Sequence, residues 1–115
     1  MIVKKIKKED LLKYEDRTKD FEILNFKPKE TKKKKIRYNN PDDSDKIFEI
    51  ESTDNEIVNV RNKELKIESK AGEFIRLIFN APETLGTYTV SIIVTNKAIK
   101  EVEEVLRFHI QVNNP

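Results

Sequence analysis

From Phe21 onward, apolar and polar residues alternate with period two, the mark of strands with one buried face. Ile36 and Tyr38 fall on one side of such a segment, with Lys33, Lys35 and Arg37 on the other. Phe48 and Ile50 alternate with Glu49 and Glu51, and Val58/Val60 and Leu65/Ile67 repeat the pattern over shorter spans. Longer runs follow at Ile75, Leu77 and Phe79, at Tyr88, Val90, Ile92 and Val94, and at Leu106, Phe108, Ile110 and Val112. The breaks between them are turn-forming: "NNPDDSD", "STDN", "KAGE", "NAPETLG" and "TNKAIKE". Many short alternating strands with no sustained helical period predict an all-β antiparallel sandwich of seven to eight strands over residues 21–115. The last two strands are richest in β-branched residues and are expected to be central.

Residues 1–20 break the rhythm. Ile2, Ile6 and the Leu11–Leu12 pair recur at helical intervals, which predicts a short helix or a linker; a β lead-in across Ile2 to Ile6 is the alternative.

Composition narrows the function. At 115 residues the chain is long enough for one domain with its own core. It has no cysteine, so disulfides, Cys-based zinc sites and thiol nucleophiles are excluded, and a reducing, cytoplasmic compartment is expected. No stretch approaches the ~20 apolar residues of a membrane span. The net charge of +2 hides an asymmetry. Residues 1–37 hold 14 Lys and Arg against 7 Asp and Glu, a net +7, while the rest holds 9 against 14, a net −5. A nucleic-acid-binding domain is more often basic throughout, so nucleic acid is not the expected partner.

Catalytic chemistry is sparse. The single histidine, His109, sits between the inward Phe108 and Ile110 and is expected to face solvent. One His without Cys builds neither a zinc site nor, by itself, a triad. Two glycines, Gly72 and Gly86, cannot form a phosphate-binding loop. Asp42, Asp43 and Asp45 lack the Gly and distal Glu of a calcium loop and read as a solvated turn. "EVEE", Glu101 to Glu104, reads as a solvated hairpin flank. No enzyme activity, cofactor or metal is expected. The candidate contact strip is Lys32, Lys33, Lys34, Lys35 and Arg37. Lys33, Lys35 and Arg37 form an outward row. Lys32 and Lys34 take the inward register beyond the end of the sandwich, where their stems lie on apolar surface and their heads reach water. Asn40, at the start of the turn, is expected to bond loop backbone.

The order Ile36–Tyr38–Asn40, Phe48–Ile50, Val58–Val60, Ile75–Leu77–Phe79–Pro82 and Gly86–Tyr88–Val90–Ile92 resembles the major-sperm-protein-like (MSP) and ASH-type immunoglobulin-like domains. Within that superfamily, with "EEVLRFHIQV" at the end, the chain is most similar to the nephrocystin-4 type found in ciliary transition-zone scaffolds. The resemblance covers about four-fifths of the chain and implies an immunoglobulin-like sandwich. It implies a non-catalytic protein–protein interaction module of a ciliary, basal-body or centrosomal scaffold, with other scaffold proteins as partners. Some MSP domains bind acidic peptides through basic residues alternating with the Phe of the second strand in that order. Here Glu49 and Glu51 hold those positions, and the family's Pro-x-x-Gly connector is replaced by "VRNKELKIESKAGE", so that mode is not expected. The alternative is a basic attachment module. In it Lys4, Lys5, Lys7, Lys8 and the lysine strip hold a microtubule, an anionic lipid surface or an acidic peptide.

Overall fold

The computed structural model describes residues 8–114, with side chains from Leu11 onward. A 3-10 helix, Lys8–Arg17, is kinked at Tyr14 (φ −113°, ψ 20°). Eight strands follow: β1 (Thr18–Phe26), β2 (Thr31–Asn39), β3 (Lys46–Ser52), β4 (Val58–Val60), β5 (Glu64–Ile67), β6 (Gly72–Asn80), β7 (Gly86–Asn96) and β8 (Glu101–Val112). They form a five-stranded sheet ordered β1-β8-β7-β3-β5 and a three-stranded sheet ordered β2-β6-β4. The two β-branched strands, β7 and β8, are interior to the large sheet. The expected Ile2–Ile6 segment lies outside the described residues.

Two details differ from the sequence reading. The first strand begins at Thr18 rather than Phe21, because β8 supplies a partner for its polar start: Asp20 aligns with Arg107. The sandwich is also not wholly antiparallel, since β1 runs parallel to β8. A parallel neighbour needs a long return path, and here everything between the first and last strands provides it.

The alternating positions meet between the sheets. Phe48, Ile50, Ile92, Val94, Phe108 and Ile110 from the large sheet pack on Ile36, Val58, Val60, Ile75, Leu77 and Phe79 from the small one. Phe79 and Phe108 meet edge-on at 5.3 Å in the centre, and Tyr38 meets Phe48 edge-on at 5.4 Å at one end. Each fully buried apolar side chain of this kind stabilises the fold by about 1.5–3 kcal/mol. A second, smaller cluster lies on the outside of the large sheet. There Leu11 and Tyr14 of the 3-10 helix cover Ile93, Val102 and Val105.

Buried Asn40 ties the open end of the sandwich. Its amide Nδ2 donates to the Ser44 carbonyl at 2.8 Å and the Ile67 carbonyl at 3.1 Å, and its Oδ1 accepts from Asp42 N–H at 3.1 Å. One side chain therefore joins the end of β2, the loop after it and the end of β5. Gly86 opens β7 at φ 146°, in the region only glycine enters cheaply.

Candidate interaction face

The strip Lys32–Lys35 and Arg37 lies on β2, an edge strand paired along its full length with β6. Strand alternation divides it in two. Lys33, Lys35 and Arg37 are exposed on the outward face of the small sheet, opposite Ile78, Arg76 and Phe74 of β6. Lys35 Nζ sits 4.6 Å and the Arg37 guanidinium carbon 5.8 Å from the centre of the Phe74 ring, a cation–π arrangement.

Lys32 and Lys34 do something else. Lys32 Nζ donates to the Asn25 carbonyl at 2.6 Å and lies 4.7 Å from the Phe26 ring. Half-buried Lys34 pairs with Glu22 at 2.8 Å. Both acceptors belong to β1, so these two lysines latch the mouth between the edge strands of the two sheets. They do not lie beyond the end of the sandwich, because β6 extends the pairing through Thr31–Asn80.

The face continues where the sequence offered no hint. After β4, Arg61 N–H donates to the Arg76 carbonyl at 2.8 Å. The Asn62 side chain then imitates a further rung: its Nδ2 donates to the Phe74 carbonyl at 2.8 Å and its Oδ1 accepts from Arg76 N–H at 2.9 Å. This extension sets Arg61 beside Arg76. With Lys33, Lys35 and Ile78 they line an open groove of about 600 Å³. Five cations, Lys33, Lys35, Arg37, Arg61 and Arg76, thus share one sheet face. No outward residue of β2, β4 or β6 is Asp or Glu, and none of the five has a carboxylate partner among the described residues.

Elsewhere, several charges are paired internally. Asp42 pairs with Lys46, which holds its carboxyl below the usual range, and Asp43 pairs with Lys70 at 3.3 Å. Asp45 accepts from Ser69 N–H at 2.9 Å. Glu103 is half-buried rather than solvated. A register shift between Val94 and Thr95 aligns this hairpin so that Glu103 accepts from Asn96 at 3.0 Å and pairs with Lys46 at 3.5 Å. On β3, burial and then neighbouring Glu49 raise the Glu51 carboxyl.

His109 faces outward from the large sheet, as its register requires, but it is half-buried and engaged. Its Nε2 lies 3.1 Å from Asp20 Oδ1, and its Nδ1 lies 3.4 Å from Thr89 Oγ1. Hydroxyl, imidazole and carboxylate in this order resemble a catalytic relay. Here, however, Asp20 is already held by Arg107 through two bonds of 2.5 and 3.0 Å. Those bonds, then the one to His109, hold the Asp20 carboxyl far below the ordinary carboxylate range. The arrangement is a clamp between β1 and β8. Among the described residues no three His, Asp or Glu side chains are gathered as a metal ion needs, and no helix is long and apolar enough to cross a membrane.

Residues 18–113 match the family model described as NPH4 Ig-like domain 4. The chain belongs to that family. Structures of similar fold include WR4, an MSP family member from C. elegans, with a TM-score of 0.56 and 13% identity over 79% of this chain and 92% of that one. The ASH/PapD-like domain 7 of human CEP192 aligns with a TM-score of 0.64 and 14% identity, over 86% of this chain and 84% of that one. The CupB2 chaperone of Pseudomonas aeruginosa gives 0.63 and 8% identity, over 82% of this chain and 53% of that one. No curated protein matches the chain by sequence. The NPH4 Ig-like domain thus has an MSP/ASH-type fold, and domains of these families are generally non-catalytic. In this NPH4-type chain the β3 face carries Glu49 and Glu51, and the unpaired basic face belongs to the opposite sheet.

Proposed function

We propose that this domain is a non-catalytic protein-interaction module of a ciliary or centrosomal scaffold, acting at the basal body or transition zone. The match to NPH4 Ig-like domain 4 over residues 18–113 carries the reading. The structure supports it in physical terms. The core is closed, half-buried Lys34, Lys46, Glu103, Arg107 and His109 are engaged internally, and what remains for recognition is sheet faces and edges. The test is proximity labelling in ciliated cells with the whole chain as bait. Enrichment of ciliary-base or centrosomal proteins over a free-ligase control is expected; equal labelling of cytosolic proteins overturns the proposal.

A second reading, attachment to an anionic partner such as a microtubule, a lipid surface or an acidic peptide, is favoured by one observation: five cations without a carboxylate partner among the described residues share a face. Lys4, Lys5 and Lys7 lie outside the described residues, and the cations that the structure gathers come from β2, β6 and the end of β4. Attachment of this kind weakens with salt.

A further inference from the structure

We infer that the outward face of the three-stranded sheet is a docking site for an acidic polypeptide segment in extended conformation. The inference rests on the interaction-module reading and names its surface and the chemistry of its partner.

The first support is electrostatic. Lys33, Lys35, Arg37, Arg61 and Arg76 face one way with no carboxylate among them. Asp42, Asp43, Glu22, Glu64 and Asp20 each hold a basic partner, whereas none of these five clustered cations pairs with a carboxylate among the described residues. Clustered like charges repel one another, so the face is satisfied by an incoming anion rather than by its own chain.

The second support is geometric. Alternate residues of β2 repeat every ~6.8 Å, the repeat of same-side residues in another extended chain. A segment lying along β2 with acidic residues at every second position meets Lys33, Lys35 and Arg37 in turn. Arg76 and Arg61, aligned across the sheet from Lys35, reach its other flank. Ile78, between Lys33 and Asn59 in register, gives the groove an apolar floor.

Other anionic partners fit the same face less well. Bases of single-stranded nucleic acid need a free aromatic platform, whereas Phe74 is already covered by Lys35 and Arg37. Membrane attachment gains from exposed apolar wedges. Among the described residues, the large apolar side chains that are exposed, Leu12, Ile23, Ile47, Leu85 and Ile99, all lie off this face.

The test is a titration of the isotope-labelled chain with a synthetic peptide of alternating Glu and Thr, followed by amide chemical shifts. Shifts are expected at Lys33–Arg37, Phe74–Ile78 and Asn59–Arg61. Affinity is expected to fall about tenfold between about 0.05 M and about 0.3 M salt. Lys35→Glu/Arg76→Glu is expected to lose at least about tenfold in affinity, with an unchanged melting temperature showing that the fold survives. Lys63→Glu/Lys66→Glu, a control of equal charge change off the face, is expected to lose far less. Equal loss in the two double variants, or shifts centred on Glu49 and Glu51, overturns the site. Single-stranded oligonucleotide, or phosphatidylserine vesicles, bound more tightly than the peptide through the same residues overturns the partner class. Failure of the ciliary reading is separable: the chain then labels no ciliary proteins while the peptide still binds this face.

Discussion

The two sheets turn very different outer surfaces to their surroundings. Outside the large sheet, the 3-10 helix covers Ile93, Val102 and Val105, and Asp20, Arg107 and His109 are clamped together beside it. Outside the small sheet no helix packs among the described residues, Phe74 is covered only by Lys35 and Arg37, and none of the five cations is ion-paired among the described residues. Both surfaces are made of the same alternating strands. The difference lies in what the neighbouring chain brings. The segment before β1 supplies Leu11 and Tyr14 to one face, while β2, β4 and β6 bring only cations, amides and a few apolar groups to the other. One outer surface is used to hold the fold together, and the other keeps its cations without carboxylate partners among the described residues.

The largest effect should come from equivalent truncations on the two surfaces. Ile93→Ala removes a side chain that is 1% exposed although it points away from the main core, and should cost about 2–5 kcal/mol in urea unfolding. Ile78→Ala, outward on the small sheet and only half-buried, should cost less than about 1 kcal/mol. Equal costs would abolish the distinction between a covered and an open face.

The clamp should respond to acid. The Asp20 carboxyl is depressed in the fold by Arg107 and His109, and Asp42 is depressed by Lys46. An unfolded Asp titrates near ~3.9, so the unfolded chain takes up these protons first as pH falls. The stability they contribute is therefore present above about pH 4 and lost progressively below it. Glu51 works in the opposite sense, since burial raises its carboxyl and protonation relieves it. Asp20→Asn should flatten the acid decline in melting temperature and speed amide exchange in β1 without touching β2. An unchanged acid profile would show that the clamp is idle.

A smaller effect is expected at the latch. Lys34→Ala breaks a half-exposed pair with Glu22 and should cost about 0–1 kcal/mol, with faster exchange at the mouth between β1 and β2. Smallest of all, Lys35→Ala and Arg76→Ala should leave stability within about 0.5 kcal/mol. A clear loss there would mean that the open face is structural after all.

The sequence pattern carried the strands and the outward row of Lys33, Lys35 and Arg37, because period-two alternation is local. It also marked Asn40, whose short amide beside a turn could reach loop carbonyls. It could not carry Arg61 and Arg76 into the same site, because that depends on β6 pairing with β2 on one side and β4 on the other. Asn62 extends the second pairing with a side chain, which no periodicity records. The start of β1 was hidden because Lys19 and Asp20 are polar, and only the distant Arg107 makes Asp20 a strand residue. The alternation gives Lys32 and Lys34 their inward register, but their partners on β1 emerge only from the way the first strand crosses to the large sheet.

The parallel pairing of β1 with β8 has a mechanical consequence. Thr18 lies beside Val105, and Phe26 lies beside Val112, where β8 ends. A pull applied through the start of β1 and the end of β8 slides the two strands lengthwise past each other. The rungs between them, from Thr18–Val105 to Phe26–Val112, are then loaded together in shear instead of being unzipped one by one. Under tension along its length, this domain resists as a lap joint does.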